Sequence, residues 1–469
     1  MKTRATLDKA SMKALGWILM SLFAAQSWAF DSGSTGADGA FSPIADSGLA
    51  FPASGILNLS TLNIPAGVTV TVGPNQANGP AVILVQGDAV IDGVIDVSGT
   101  NGDGVGSAPA GFAGGLPLDE TGGTGQGPGG SRGGISSQAS GGNGGSYGSL
   151  GVAGARNSTS LRGAVYGSNV LQPLLGGSGG GGTGIGNGSR GYRGGGGGGA
   201  ILIAVSGTLT LNGEILARGG HGEPAVREPT GVMAGPGAGG GSGGGVRLIS
   251  SNFTGSGSIS VAGGNGGLGT YFPGDSRISD GGAGGAGRVR IEADAFNFSG
   301  GVTPSVAVTA APSPVFASNL PTIRMTSIGG SAVPANPVGE SDVVLPSTIS
   351  NPVTIEFAAT GVPLGSVVEL TVVPAVGSTI LASSTGLTGS VGNSNASTQV
   401  TLPQGPSVLY ASVSFAAAGT PVAMYAPFTD GEMVARVEIR SRLGGGSSSI
   451  LLTTESGRIV EVPAAVAKL

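Results

Sequence analysis

Four aspartates in one short stretch are the residues best suited to acid–base chemistry. Asp88, Asp92 and Asp96 are spaced by four residues, and Asp103 follows them. Two carboxylates that face one cleft about 5 to 9.5 Å apart can hydrolyse a glycosidic bond. Aspartates beside glycine are also common in turns. Because Asp92 and Asp96 flank a predicted turn, we expect a turn role and keep catalysis by Asp92, Asp96 and Asp103 as the alternative.

His221 is the one histidine, and it lies between two glycines. A zinc site needs several histidine or cysteine ligands, and the chain has no cysteine. We therefore expect a solvated loop histidine and no zinc. Asn101-Gly102-Asp103-Gly104 offers the oxygen ligands that calcium prefers. The sequence thus predicts no cofactor, with calcium at Asp103 as the one candidate.

Five aromatic residues lie within the glycine-rich part of the chain: Tyr147, Tyr166, Tyr192, Tyr271 and Phe272. Exposed rings among glycines can stack on sugar rings or anchor a partner, as aromatic and glycine-rich surfaces do in antibody paratopes. The same rings can instead pin loops to a scaffold. The sequence leaves both roles open, and these five are the predicted binding residues under the first.

Composition limits the class of protein. The chain has 96 glycines in 469 residues, and 10% of its residues are charged. Ordinary domains have about 7% glycine and about 25% charged residues. Disorder combines low hydrophobicity with high charge, whereas 39% of this chain is hydrophobic. An ordered protein with a glycine-laden surface fits this composition better.

The N-terminus is typical of a secretory signal. Four basic residues precede an apolar core over 14–25, and Ser27-Trp28-Ala29 supplies small residues for cleavage. We predict cleavage between Ala29 and Phe30 and export to the periplasm, cell surface or extracellular space. The apolar core is shorter than the ~20 residues of a spanning helix, so no membrane span is expected after cleavage. Residues 1–29 carry a net charge of +3, and their removal changes the chain from −5 to −8. Nucleic acid is therefore not an expected partner.

A repeated pattern predicts the scaffold. Gly199 to Gly220 contains three alternating apolar runs separated by glycine or small polar residues, the pattern of half-buried strands joined by tight turns. Asp92-Gly93-Val94-Ile95 aligns with Asn212-Gly213-Glu214-Ile215 in this template. Repeats of about 20 to 25 residues with three strands each predict stacked coils. Further copies of the template lie at 55–72, 81–99, 245–264 and 288–300.

Long glycine tracts follow the third strand of successive coils, at 100–198, 222–244 and 266–287. Insertions at one repeat position emerge at one corner, so the tracts are expected to share one face. They are either flexible linkers or extended threefold helices, like polyproline II, that hydrogen-bond laterally. Ordering each residue costs about 1 to 2 kcal/mol, so the packed form requires most backbone groups to pair. Interspersed leucines and tyrosines favour packing.

The chain after residue 340 shows short strands at regular spacing, typical of an immunoglobulin-type sandwich. The turn Glu455-Ser456-Gly457 predicts a C-terminal hairpin. The predicted fold class is all-β: a short parallel β-helix with glycine-rich corner insertions, followed by a small antiparallel β-sandwich. The expected divisions are a signal peptide at 1–29, a lead-in or cap at 30–54, glycine-rich coils at 55–301, a proline-rich connector at 302–339 and the sandwich module at 340–469.

The coils, above all the run VIDGVIDVSGTNG, resemble the secreted right-handed parallel β-helix proteins of the pectin-lyase-like superfamily. The glycine-rich corners resemble those of large surface and adhesin proteins of Gram-negative bacteria. This resemblance covers residues 55 to 300 and implies a fold more than a function. The superfamily includes polysaccharide hydrolases, and lyases that hold calcium with clustered aspartates. A His-Gly pair like that at His221 occurs in its polygalacturonase-like branch, but the accompanying asparagine-threonine-aspartate and double-aspartate motifs are absent here.

We therefore expect a secreted, non-enzymatic surface or extracellular-matrix protein. It would contact polysaccharide or the cell envelope through its glycine-rich loops. The first alternative is a β-helix polysaccharide lyase or hydrolase that uses the aspartates named above. The second is a purely structural scaffold of an extracellular assembly, which self-associates through exposed coil edges.

Overall fold

The computed structural model describes residues 30–463 apart from short gaps. Those gaps are residues 53–54, 75–77, 103–107, 186–189, 227–234, 271–278, 305–306, 316–319, 335–341, 418–424, 426–427, 430–431 and 444–448. In the described part the fold is all-β, as the sequence predicts, and the only helix there is a short 3-10 turn at Thr159–Leu161. No helix of this part has the length and apolar character needed to cross a bilayer.

Two parallel sheets form the N-terminal half, and each sequence repeat contributes strands to both. The larger sheet contains β1 (Ala40–Phe41), β3 (Ile56–Leu59), β4 (Thr61–Ile64), β6 (Ala81–Val85), β7 (Ala89–Ile91), β9 (Ala200–Leu211), β11 (Gly245–Gly255), β13 (Arg288–Phe298) and β15 (Val308–Ala310). The smaller sheet contains β2 (Ser47–Leu49), β5 (Thr69–Val72), β8 (Val94–Asp96), β10 (Glu214–Leu216), β12 (Ser258–Ser260) and β14 (Gly301–Thr303). The larger sheet runs β1-β4-β7-β9-β11-β13-β15, with β3 paired to β6 and β6 to β9, and the smaller runs β14-β12-β10-β8-β5-β2.

The register of these sheets confirms the repeat alignment. Ile95, Ile215 and Ile259 are direct partners on β8, β10 and β12. The expectation of three separate strands in every coil is corrected, because the first two runs form one strand of 11 or 12 residues in β9, β11 and β13. The small residues between the runs stay extended, and the ladder continues through an irregularity between Ser250 and Asn252.

Alternation along the strands builds a core between the two parallel sheets. Successive side chains of a strand point to opposite faces, so every second residue faces the opposing sheet. Burial of each such aliphatic side chain contributes about 1.5 to 3 kcal/mol. Members of this core with no exposed surface include Ile64, Ile91, Ile203, Leu211, Ile215, Leu248 and Ile259.

The C-terminal part consists of two antiparallel sheets that share one hydrophobic core. One has the order β17 (Ser331–Ala332), β16 (Thr322–Ile328), β18 (Val353–Thr360), β22 (Asn393–Val400) and β21 (Thr388–Ser390). The other has the order β20 (Ile380–Gly386), β19 (Val367–Pro374), β23 (Ser407–Ala416), β24 (Val434–Leu443), β25 (Ser449–Thr454) and β26 (Ile459–Pro463). The predicted C-terminal hairpin is confirmed by the pairing of β25 with β26. Strand β16, which the sequence places in the connector, pairs with β18 inside the first of these sheets.

A buried cluster of charges ties the connector to the larger parallel sheet. Arg247 and Arg290 are direct partners on β11 and β13, and the Nε atoms of both donate to Oε1 of Glu292, at 2.9 and 2.7 Å. The side chains of Arg247 and Glu292 are 1% and 0% exposed. Oε2 of Glu292 accepts from the N–H and hydroxyl of Ser313, and Arg247 Nη1 donates to the carbonyl of Val315 at 3.0 Å. Charge-assisted hydrogen bonds thus hold this part of the connector.

This cluster predicts a dependence of stability on pH. Burial alone would raise the pKa of Glu292, but Arg247 and the hydrogen bonds to the carboxylate outweigh it and lower the pKa below its ordinary 4.5. A depressed pKa adds stability above the unfolded-state value and loses it as the pH falls through the folded-state value. We expect the difference in unfolding free energy between wild type and Glu292→Gln to be full above about pH 4.5 and to shrink below it.

Urea unfolding at a series of pH values measures this difference. Glu214→Gln, which changes an exposed carboxylate on β10, is the control. We expect its difference from wild type to stay small at every pH. A difference for Glu292→Gln that is constant from pH 7 to pH 3 would contradict the assigned role of the carboxylate.

Candidate functional site

The glycine tracts form one hydrogen-bonded body, here called the glycine block. Segments 97–102, 217–223 and 261–268 leave β8, β10 and β12, whereas 192–199 and 237–244 lead into β9 and β11. The block therefore lies on one side of the paired sheets, as the position of the insertions predicts. Its further segments are 111–116, 122–126, 129–134, 141–155, 176–184 and 280–287.

Segment 237–244 illustrates the geometry of the block. Its N–H groups donate to three neighbouring segments in turn and return to the first after three residues. With N–O distances of 2.7 to 2.9 Å, Gly239 and Ser242 donate to Gly181 and Ser178, Gly240 and Gly243 to Gly282 and Gly285, and Gly241 and Gly244 to Gly220 and Ala217. Three residues per turn with no bonds inside the segment is the geometry of polyproline II. The segment is thus a threefold extended helix that pairs on three sides.

Close approach of neighbouring backbones explains why these segments are glycine. A Cβ added to Gly197 would lie 1.8 Å from the carbonyl oxygen of Gly177, and one added to Gly244 would lie 1.8 Å from that of Gly199. Real Cβ atoms stay beyond 3.0 Å from such atoms. None of these glycines needs a left-handed φ, so the requirement is for space alone.

These contacts decide between the two expectations for the tracts. Where the structure describes them, most of their N–H groups pair with carbonyls of neighbouring segments. A side-chain hydroxyl takes the same role at Ser178, whose N–H donates to Oγ of the buried Ser242 at 2.8 Å. Pairing at this density offsets the cost of ordering the chain, so the packed form is confirmed for the described segments.

Tyr147 lies inside the block, and Tyr166 is half-buried and packs against it. Tyr147 is fully buried, and its ring centroid is 4.7 Å from that of Tyr166. The Tyr166 hydroxyl donates to the carbonyl of Gly176 at 2.5 Å and accepts from Oγ of Ser178 at 2.9 Å. The Tyr147 hydroxyl has no hydrogen-bond partner in the described part of the chain. Burial raises the pKa of Tyr147 and keeps this hydroxyl neutral.

Tyr192 is similarly enclosed, with 3% of its surface exposed. Its hydroxyl accepts from the N–H of Val226 at 3.2 Å. These positions favour the second of the two roles considered for the aromatics, in which the rings pin the loops. Tyr271 and Phe272 lie outside the described residues.

Tyr147 and Tyr166 are expected to respond oppositely to loss of the hydroxyl. Tyr166→Phe removes two hydrogen bonds and leaves the Gly176 carbonyl short of a donor, so we expect it to destabilise by about 1 to 3 kcal/mol. Tyr147→Phe removes an unpaired buried hydroxyl, so we expect no loss or a small gain in stability. Urea unfolding of the two variants measures this contrast, and equal losses would contradict the assigned bonding.

The aspartates proposed for chemistry are engaged in turns. Asp92 Oδ1 accepts from the side-chain amide of Asn212 at 2.8 Å, across neighbouring coils. Asp96 Oδ1 accepts from the backbone N–H of Ser98 at 2.8 Å, a bond that braces the exit from β8. Asp103, the calcium and third catalytic candidate, lies outside the described residues. The contact of Asp96 is that of a turn-bracing carboxylate, whereas the contact of Asp92 links it to the next repeat.

His221 belongs to a ladder on the outer layer of the glycine block. Its N–H donates to Oδ1 of Asn101 at 2.9 Å, and its Nδ1 accepts from the N–H of Asn265 at 2.8 Å. Asn265 was not among the candidate residues taken from the sequence, and Asn101 was considered only as part of the calcium candidate Asn101-Gly102-Asp103-Gly104. The sequence does contain a signal for these positions, because non-glycine residues recur at every third position of the tracts. Across the described residues, no three histidine, aspartate or glutamate side chains cluster as metal ligands would.

Comparison with known proteins returns no match. No described protein family, no curated protein and no solved structure is significantly similar to this chain.

Proposed function

We propose that this chain is a secreted, non-enzymatic surface or extracellular-matrix protein that binds polysaccharide through its glycine block. The observation that carries the proposal is the construction of the block itself. Insertions from several coils are joined by backbone hydrogen bonds into one body that extends from the sheets. A rigid body of this size, attached to a scaffold, offers a broad preformed contact surface at little further cost in entropy.

The scaffold in this proposal is a short parallel β-helix. Its support is the coil-to-coil register of the two parallel sheets, in which equivalent residues of successive repeats are partners. The C-terminal pair of antiparallel sheets would be an immunoglobulin-type module. Export would follow cleavage at Ala29, and residues 1–29 lie outside the described residues.

Co-sedimentation tests the proposal directly. The exported chain is incubated with insoluble cellulose, chitin, calcium pectate gel and cell envelopes, and pellet and supernatant are assayed for protein and released sugar. We expect protein in the pellet of at least one material and no released oligosaccharide. Protein that stays in every supernatant would overturn the proposed binding.

The enzyme alternative makes a different prediction for the aspartates. If Asp92, Asp96 and Asp103 were catalytic, their joint replacement by asparagine would abolish sugar release. Under our proposal the triple variant sediments with polysaccharide as wild type does, because none of the three contacts the ligand. Oligosaccharides released by wild type and lost in the triple variant would establish the lyase or hydrolase alternative.

One observation favours a scaffold role as a second candidate. Strand β15 pairs with residues 290–292 of β13 only, and residues 293–298 have no further strand partner in the described part of the chain. Phe296 on this edge is 46% exposed. An open edge of this kind can recruit another strand. Sedimentation velocity over a range of concentrations tests for self-association, and a monomer at every concentration would exclude this candidate.

A further inference from the structure

The outer layer of the glycine block carries a larger residue at every third position. Segment 217–223 reads Arg218-Gly-Gly-His221, and segment 261–268 reads Ala262-Gly-Gly-Asn265-Gly-Gly-Leu268. A threefold helix returns to the same side after three residues, so these residues share one side of each segment. Arg218, His221 and Asn265 are exposed, whereas the two glycines between Arg218 and His221 are buried.

Neighbouring segments of this layer lie side by side. The N–H groups of one segment donate to carbonyls of the next at 2.8 to 2.9 Å: Gly99 to Arg218, Gly102 to His221, Gly219 to Ala262, and Gly222 to Asn265. The outward residues therefore form rows across the layer, and Asn101, His221 and Asn265 make up one row. We name Asn101, Arg218, His221 and Asn265 the ladder face.

The ladder face is held in place and yet keeps free polar groups. His221 Nδ1 accepts a hydrogen bond, so the neutral ring carries its proton on Nε2. Arg218 uses Nε to donate to Oγ of Ser260 at 3.0 Å. Among the described residues, nothing pairs with His221 Nε2, Asn101 Nδ2, the side-chain amide of Asn265 or either Nη of Arg218. These groups are fixed in advance and available to a ligand.

We propose that the ladder face is the contact surface for a neutral polysaccharide. The free groups are mostly hydrogen-bond donors, and sugar hydroxyl and ring oxygens supply matching acceptors. Arg218 is the one permanent cation of the face, and Asp96 and Glu214 lie on the adjoining outer side of the smaller sheet. The surface thus lacks the positive excess that a polyanion requires. The four side chains of the face are polar, and Leu268, the next outward residue of segment 261–268, is 67% exposed beside them.

The spacing of the face also suits a repeating ligand. Outward residues recur about every 9 Å along a segment, because a threefold extended helix rises about 3.1 Å per residue. Adjacent extended segments lie about 5 Å apart. Such a two-dimensional array meets a chain of sugar rings at regular intervals. The inference rests on the proposed function and assigns it to four named residues.

A pair of matched double variants tests this assignment. Arg218→Ala/Asn265→Ala removes one guanidinium and one amide from the ladder face. Arg440→Ala/Asn395→Ala removes the same groups from exposed positions on β24 and β22 of the C-terminal module. Sedimentation with cellulose and chitin gives an apparent affinity for wild type and both variants. We expect the ladder variant to bind at least about tenfold more weakly, from the loss of one charged and one neutral hydrogen bond, and the control to bind as wild type does.

The outcomes separate this inference from the proposed function. Equal binding by wild type and the ladder variant would overturn the ladder face and leave polysaccharide binding standing. Equal weakening of both double variants would also overturn it. If wild type sedimented with calcium pectate and with no other material, the ligand would be a polyanion, and the proposal of a neutral polysaccharide would be wrong. Absence of wild type from every pellet would overturn the proposed function itself. Thermal unfolding of each variant shows whether a loss of binding reflects a loss of fold.

Discussion

Gly197→Ala is expected to open the glycine block and to lower the free energy of unfolding by about 3 kcal/mol or more. The added Cβ would lie 1.8 Å from the carbonyl oxygen of Gly177 and 2.1 Å from its carbon. That carbonyl accepts from the N–H of Phe112, and the N–H of Gly177 donates to Gly198 at 2.7 Å. Relief of the clash must therefore move a backbone that is bonded on more than one side. Overpacking of a tight core typically costs 1 to 3 kcal/mol, and bonded backbone yields less than side chains do.

The adjacent glycine supplies a matched control. A Cβ on Gly196 would have its nearest neighbour, the carbonyl oxygen of Thr100, at 3.3 Å, so a small shift accommodates it. Both positions are buried, and both changes reduce the entropy of the unfolded chain by the same amount. We expect Gly196→Ala to change stability by no more than about 1 kcal/mol. Urea unfolding measures both values, and amide exchange at Gly177 and Gly198 locates the damage. Equal stability of the two variants would show that the segments are not packed as described.

The strands were predictable because side chains encode them. The two parallel sheets follow from apolar residues at alternate positions, and Ile95 and Ile215 align in the sequence and pair in the structure. The continuity of β9 was not predictable from Ser206 and Gly207, which are ordinary turn residues. These two stay extended because β6 and β7 on the neighbouring coil hold both halves of β9 in one ladder.

The order of the glycine tracts was only partly predictable. Glycine has no side chain to signal a buried face, so sequence alone cannot choose between a linker and a packed helix. The choice depends on whether distant segments, such as 176–184 and 237–244, meet in register and pair their backbones. A local signal does exist, because outer segments keep a larger residue at every third position, as at Arg218 and His221.

In the candidate site, too, some features follow from local sequence and others depend on contacts between distant segments. Tyr147 and Tyr192 are identifiable from sequence as unusual among glycines, but their burial depends on segments that are far apart in the chain. Asp92 and Asp96 were expected to have a turn role, and the bond from Ser98 to Asp96 is of that kind, whereas Asp92 bonds to Asn212 of the next repeat. The ladder row was missed because Asn101, His221 and Asn265 come from three different coils. Only the pairing of their segments in the glycine block brings them together.

Glu292→Gln is expected to destabilise the chain by about 3 to 5 kcal/mol, more than Arg247→Met does. Removal of the carboxylate charge leaves Arg247 and Arg290 side by side on neighbouring strands with no counter-charge. Arg247→Met leaves Glu292 still paired with Arg290 at 2.7 Å and still bonded to Ser313. The two single changes therefore differ in effect. Glu292→Gln leaves two cations without a counter-charge, whereas Arg247→Met leaves the ion pair of Glu292 and Arg290 intact.

The double variant Arg247→Met/Glu292→Gln separates this account from simple loss of packing. Removal of the more deeply buried cation relieves part of the repulsion, so the double variant is expected to be more stable than Glu292→Gln alone. Amide exchange at Ser313 should rise in Glu292→Gln, because the carboxylate accepts from the N–H of Ser313. Strictly additive losses with unchanged exchange at Ser313 would mean that the charges do not hold the connector. If the double variant is more stable than Glu292→Gln and amide exchange at Ser313 is faster in Glu292→Gln, the charged cluster holds the connector to the larger parallel sheet.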